Sequence, residues 1–330
     1  MTQNLRIICK QRPQGIPKPE DFDLINAPEL TLGQAQLRCK IRYISLDPYL
    51  RGKLSGRHLS GPIHPGDPMI SETVGEITES QDPTFQPGQY IRAFTPWQHE
   101  VVINAADAIL IDPAIDPLSL QIGALGMPGL TAYAGMIRLA HPGPGKTLLV
   151  SAASGPVGSS VGQIGKIQGC HVVGIAGSEE KCNWLKSSLG FDSTINYKTQ
   201  DLREALARQC PNGIDIYFDN VGGDLLTAAM EHLALNAEVV LCGLMEQYNK
   251  DQPSPGPSPG LVIKARATVR GLVVYDHEDL REQFLAQAKL WLKNGQIQFK
   301  EDVSQGLESA PQAFARLMAG QNFGKAIVKL

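Results

Sequence analysis

From Lys146 to Gly243 the chain switches repeatedly between short apolar runs and amphipathic ones. KTLLVSAA, HVVGIAG, STINY, IDIYFDNV and AEVVLCG read as strands. The stretches between them, Val157 to about Gln168, EEKCNWLKSSL, DLREALARQC and LLTAAMEHLAL, read as helices. A strand–helix–strand rhythm demands parallel strands joined by right-handed crossovers, because a helix is what carries the chain back across the sheet. The middle of the chain is therefore predicted to be an α/β, doubly wound parallel sheet of the Rossmann type.

The flanks have a different texture. LRIICK, AQLRCKIRYISL, TVGEIT, QYIRAF and HEVVINA are short β candidates separated by Gly, Pro and Asp. Pro117 to Ala124 is predicted as a helix, and so is GLTAYAGMIRLA. Beyond the alternating region, DQPSPGPSPG (251–260) reads as a surface loop, TVRGLVVY as a strand, and Glu278 to Lys293 as a helix. A last helix follows, then the strand KAIVKL, which resembles the early β segments. An N-terminal domain interrupted by a nucleotide-binding domain explains that order. The expected boundaries are 1–125, 126–297 and a C-terminal segment 298–330 that completes the first domain.

Composition narrows the function. A net charge of -3 over 330 residues gives no whole-protein attraction to nucleic acid or anionic membrane, and 6% aromatics does not favour a base-stacking surface. No apolar run reaches the roughly 18–20 residues that span a bilayer. The six cysteines are scattered in apolar or helical contexts and read as reduced thiols of a cytoplasmic protein.

The strand KTLLVSAA runs into Ala153-Ser154-Gly155-Pro156-Val157-Gly158, with Gly162 four residues on. Strand, glycine-rich turn and helix start stand in the order that lets backbone N–H groups meet a pyrophosphate. Ala153 replaces the first glycine of the dinucleotide fingerprint. The second strand ends in Ala176-Gly177-Ser178. An NAD site usually places an acid there for the ribose hydroxyls; here the tip is small and neutral. Ser178 reads as a helix cap, with Glu179 and Glu180 complementing the positive helix end. Lys181 is less expected in that first turn: it is either a solvated surface lysine or a partner for a 2′-phosphate. Tyr197, after the third strand, either packs or lies near the same phosphate. Asn220, in Asp219-Asn220-Val221-Gly222-Gly223, either shapes a turn or faces a cofactor at the strand end; the same holds for Cys242-Gly243.

Several chemistries lack their signatures. There is no C-x-x-C, no H-E-x-x-H, no G-x-S-x-G and no phosphate-loop motif of the G-x-x-x-x-G-K-[ST] kind. Gly143 to Thr147 ends like the last of these but precedes its strand, so it cannot cradle phosphates.

Four further stretches, Ser45-Leu46-Asp47-Pro48-Tyr49-Leu50-Arg51, Gly126 to Tyr133 (GMPGLTAY), Phe218 to Gly223 and Asn322-Phe323-Gly324-Lys325, together with Val274-Tyr275, complete a pattern. On these marks nearly the whole chain resembles the medium-chain dehydrogenase/reductases. Within them it is similar to the zinc-independent leukotriene/prostaglandin reductase and alkenal (or curcumin) double-bond reductase branch. Leu50 stands where relatives often carry Met.

The resemblance implies a GroES-like β-barrel domain around a Rossmann domain. It implies no metal, since Ser45 and Ser71-Glu72 stand where zinc-dependent members have ligands. It implies NADP(H) held by Ala153 to Gly158, Gly177, Ser178, Lys181, Tyr197, Asn220, Cys242, Gly243, Tyr248 and Asn322, with Thr131 near the nicotinamide. The implied reaction is conjugate reduction of an enal or enone. Hydride goes to the β-carbon, and a tyrosine hydroxyl and a ribose hydroxyl stabilise the enolate. Tyr49 and Tyr275 are the candidate catalytic tyrosines; either could instead pack in a core or interface. A homodimer is implied, often by pairing of the strand expected at Gly271 to Tyr275. Two other functions stay open at this point: a quinone reductase of the same superfamily, and an inactive nucleotide-binding partner protein.

Overall fold

A computed structural model describes residues 3–252 and 254–330. The chain forms two compact units, Met1–Gly123 with Glu301–Leu330, and Ala124–Lys300.

The first unit is β-rich. β1 (Leu5–Cys9) and β2 (Phe22–Asn26) pair antiparallel. β3 (Gln36–Ser45), β4 (Ile70–Ser80), β5 (Tyr90–Pro96), β6 (Glu100–Asn104) and β7 (Ile109–Leu110) belong to a seven-stranded sheet. On β3, Leu37, Cys39 and Ile41 are all buried, so the period-2 pattern puts one face on the core. The C-terminal strand Lys325–Lys329 pairs antiparallel with β3, and Glu301–Gln305 pairs parallel with that strand. The tail thus enters the sheet of the N-terminal segment. Phe314, on the helix Ala310–Met318, meets Trp97 and Phe22 edge to face at 6.1 and 6.2 Å. In the N-terminal segment the α-helix α1 (Tyr49–Leu54) follows β3.

The second unit is the doubly wound sheet. Its strands are β8 (Thr147–Val150), β9 (His171–Ala176), β10 (Ser193–Asn196), β11 (Ile214–Asp219), β12 (Leu233–Leu241) and β13 (Thr268–Gly271). They lie parallel in the order β10-β9-β8-β11-β12-β13. The order reverses beside β8, and ligands of open α/β sheets bind at such a switch point, outside the carboxyl ends of the strands. The helices are α2 (Met127–Ala134), α3 (Pro156–Ile167), α4 (Glu179–Ser187), α5 (Leu202–Gln209), α6 (Gly223–Glu231), α7 (Met245–Tyr248), α8 (Pro259–Ala265) and α9 (Arg281–Lys293). Leu149, Val173, Ile175, Ile195 and Tyr217 form the buried centre on one side of the sheet.

Several local expectations are corrected. Pro117 to Ala124 gives only a 3-10 turn, Leu118–Ile122, ended by Gly123. In GLTAYAGMIRLA, α2 passes into a π turn at Gly135–Leu139. A Cβ at Gly135 would stand 2.4 Å from the Phe218 ring, so this bend carries the chain close against β11. LLTAAMEHLAL is not one helix: α6 ends at Glu231, and Leu233 opens β12, pairing with Ile214. TVRGLVVY is a strand only to Gly271. Val274–Leu280 is 3-10, and regular helix starts at Arg281 rather than Glu278. The expected pairing strand at 271–275 is therefore absent. The 251–260 loop is shortened by α8, whose cap Ser258 accepts from the Gly260 N–H at 3.3 Å; Pro253 lies outside the described residues.

Candidate dinucleotide site

The site is built on the carboxyl ends of β8, β9, β10, β11 and β12. Beyond β8 the backbone turns sharply. Ala152 adopts φ 47°, a left-handed conformation costly for a residue with a Cβ. Ala153 N donates to Ile175 O at 2.9 Å, tying the turn to β9. α3 starts at Pro156 from Gly155, and no side chain caps it. Its first-turn amides are thus not consumed by a capping group, which is what an anion at a helix N-terminus requires. A Cβ at Gly158 would lie 2.5 Å from Ala152 O and 2.8 Å from Ala153 Cα. Only glycine lets the helix sit this close to the turn. Ser154 is buried and Val157 half-buried.

At the tip of β9, Ser178 Oγ accepts from Lys181 N at 3.3 Å, the expected cap. Lys181 is half-buried and Tyr197 is exposed. A Cβ at Gly177 would stand 3.0 Å from Tyr197 Cε1 and 3.2 Å from Lys198 Cε. The tip is therefore a notch without a side chain of its own, closely walled by Tyr197 and Lys198. Sequence reasoning missed Lys198; its only signal was a cation directly after Tyr197.

At the end of β11 a buried polar network fixes Asn220. Asp219 is fully buried and accepts from Tyr217 Oη (2.7 Å), Ser151 Oγ (3.0 Å), Val221 N (3.1 Å) and Gly222 N (3.0 Å). Burial pushes the Asp219 carboxyl above its ordinary range, and those donors oppose the shift. Burial and the adjacent Asp219 push the Tyr217 hydroxyl far up. Ser151 in turn accepts from Asn220 N through its hydroxyl and from Asn220 Nδ2 through its carbonyl, both at 2.8 Å. Cys242 N and Gly243 N donate to Asp219 O at 2.8 and 3.1 Å, which brings the end of β12 to the same place. Burial pushes the Cys242 thiol up to about 12, so it is no nucleophile at neutral pH. Tyr248, on α7, accepts from Leu244 N at 3.4 Å. In sequence Asp219 is only the first residue of a motif and Tyr217 and Ser151 are ordinary strand-end residues; tertiary burial reveals the part all three play.

Elsewhere in this unit Thr131 Oγ1 donates to Met127 O at 2.8 Å, back along its own helix. Tyr133 of the same motif is a core residue, packed on Phe284 and Trp291. Tyr275 lies on the 3-10 segment and is 44% exposed. That segment is clamped by Arg138, from the π turn, which donates to both Asp279 oxygens (2.9 and 2.6 Å) and lies 3.2 Å from His277 Nδ1.

In the first unit Tyr49 opens α1 with its ring 5.0 Å from that of His58. The motif around it is structural. Lys325 Nζ reaches Asp47 at 2.5 Å and Leu46 O at 2.8 Å, and both charged side chains are buried. Arg51 donates to the carbonyls of Pro13 and Gly15. Asn322 Nδ2 donates to Gly324 O at 2.8 Å. Ser45 donates to Asp47, Ser71 Oγ accepts from Trp97 Nε1 at 2.8 Å, and Glu72 pairs with Arg92 at 3.2 Å. Among the described residues no group of three or more His, Cys, Asp or Glu side chains could hold a metal ion.

This architecture has known counterparts. Residues 6–111 match a family described as the N-terminal domain of oxidoreductase, and residues 156–289 one described as zinc-binding dehydrogenase. The chain is 38% identical to the NADPH-dependent curcumin reductase of Escherichia coli, over 99% of this chain and 97% of that one. It is 40% identical to the NADP(+)-dependent 2-alkenal reductase of Nicotiana tabacum, over 98% and 97%. The crystal structure of CurA from Vibrio vulnificus in complex with NADPH matches with a TM-score of 0.94 at 38% identity, covering 98% of each chain. The chain belongs to the medium-chain dehydrogenase/reductase superfamily, in the curcumin and alkenal reductase branch. Ser45 and Ser71 are hydrogen-bonded inside the first unit.

Proposed function

We propose that this medium-chain reductase uses NADPH to reduce the carbon–carbon double bond of α,β-unsaturated aldehydes and ketones. The carrying observation is the full-length identity of about 40% to reductases of curcumin and of 2-alkenals. The residues at the strand ends fit the cofactor: uncapped first-turn amides on α3, the close approach at Gly158, and a notch at Gly177 bordered by Tyr197 and Lys198, with Lys181 in the first turn of α4.

When bound, NADPH supplies a hydride. In our reading the α3 amides hold its pyrophosphate, Lys181 and Tyr197 meet its 2′-phosphate, and Asn220 with Cys242 to Tyr248 lines its path. The Tyr275 hydroxyl donates to the carbonyl oxygen on which negative charge gathers as hydride reaches the β-carbon. Tyr49 is retained as a second candidate donor, in the first unit. We also propose a cytoplasmic enzyme and a homodimer. β13, the outer strand of its sheet, is the pairing edge, in place of 271–275.

The test follows the label. With NADPH deuterated at the transferred position and a simple enone, deuterium is expected on the β-carbon of a saturated ketone. An allylic alcohol as main product, or turnover with quinones alone, would overturn the proposal.

A further inference from the structure

The notch at the β9 tip holds a second lysine beyond the Lys181 that the sequence pointed to. Lys198 does not point away from the sheet. Its Cε lies 3.2 Å from the Cβ position of Gly177, and its ammonium sits over the Tyr197 ring, 6.0 Å from the centroid. A side chain at 177 would displace it. A buried amide fixes this arrangement. Asn196, only 4% exposed, accepts from Lys198 N at 3.2 Å through Oδ1 and donates from Nδ2 to Glu179 Oε1 at 2.8 Å. Asn196 therefore holds Lys198 at its backbone. It also donates to the Glu179 carboxylate, tying the end of β10 to the first turn of α4.

A phosphate monoester carries close to two negative charges at neutral pH. One lysine neutralises half of that, and an aromatic hydroxyl adds a hydrogen bond but no charge. We infer that Lys198 is a second cation for the 2′-phosphate, closing over it from the β10 side while Lys181 approaches from α4. This rests on the NADPH reading above and deepens it. Lys198 then contributes to the choice of NADPH over NADH, with Asn196 as its positioning residue.

The test measures binding, not turnover. Calorimetry at low ionic strength compares adenosine 2′,5′-bisphosphate with adenosine 5′-monophosphate on the wild-type chain, Lys198→Ala, Lys198→Arg, Lys181→Ala and, for net charge alone, Lys293→Ala on the exposed face of α9. Lys198→Ala is expected to weaken the bisphosphate about tenfold and the monophosphate less than about twofold, the pattern of a lost charge-assisted contact. Lys198→Arg should retain most of the affinity, and Lys293→Ala all of it. If Lys198→Ala binds the bisphosphate like the wild type while Lys181→Ala does not, the second-cation role is overturned and the NADPH reading stands. If the wild-type chain binds the two nucleotides equally, the NADPH reading of this notch fails, and the role of Lys198 with it.

Discussion

Tyr275 and Gly162 show how differently single residues can matter here. Tyr275 is well exposed on a 3-10 segment that Arg138 holds through Asp279 and His277. Nothing in that setting makes its ring a core element. Tyr275→Phe should lower turnover roughly ten- to a thousandfold, the range for a lost oxyanion donor, with NADPH affinity unchanged. Steady-state kinetics beside a binding titration checks this, with Tyr49→Phe in parallel. Unchanged turnover in both variants would return the tyrosines to packing roles. Gly162 lies inside α3, where alanine would ordinarily gain about 1 kcal/mol of helix propensity. Its added Cβ would stand 1.9 Å from Phe191 Cζ. The clash should win: Gly162→Ala is expected to lose about 1–3 kcal/mol in urea unfolding, and Phe191→Leu in the same chain should recover much of it.

Among the elements, α3 carries the phosphate-facing turn at one end and a clasp at the other. Lys166, in its last turn, donates to both oxygens of Asp192 at 2.7 and 2.8 Å, and Val172 N donates to Asp192 at 2.6 Å. Partial burial works against the Asp192 carboxylate, but Lys166 and the Val172 amide outweigh it and hold the group below its ordinary range. A lowered carboxyl stabilises the fold fully above the unfolded-state value and loses that contribution as pH falls through the native one. Asp192→Asn should therefore cost about 1 kcal/mol at neutral pH, a modest figure because the pair is partly solvated. The variant and wild-type unfolding curves should converge as pH falls below the carboxylate range. A constant gap across that range would mean the loss is packing, not charge.

Across the whole molecule, cofactor binding should appear as stability. Ligand at a hundredfold its Kd adds about 2.7 kcal/mol to the folded state. NADPH is expected to raise the unfolding midpoint in a thermal scan, and NADH at equal concentration to raise it less; equal shifts would contradict recognition of the 2′-phosphate. The sequence by itself determined the α/β alternation, the glycine-rich turn at Ala153 to Gly158, the small neutral tip at Gly177 and the return of the last strand to the first segment. The first three are local facts: side-chain period, turn chemistry and capping act over a few residues and survive in any one-dimensional reading, while the last was legible only because KAIVKL shares the texture of the early strands. The tertiary structure alone decided the rest. LVVY is as apolar as a strand, yet the strand stops at Gly271 and the next residues bend into a 3-10 segment clamped by Arg138. LAL has high helix propensity and continues a helical pattern, yet Leu233 pairs with Ile214 on β11 and opens β12, because tertiary strand pairing overrides local propensity. Asp47 and Lys325, 278 residues apart, meet in the first unit's interior, so two stretches that read in sequence only as marks of a family resemblance hold the fold together. The buried role of Asp219 and the placement of Lys198 are equally invisible along the chain. Their roles depend on which groups burial and chain crossing bring within hydrogen-bond reach, and no spacing along the chain encodes that.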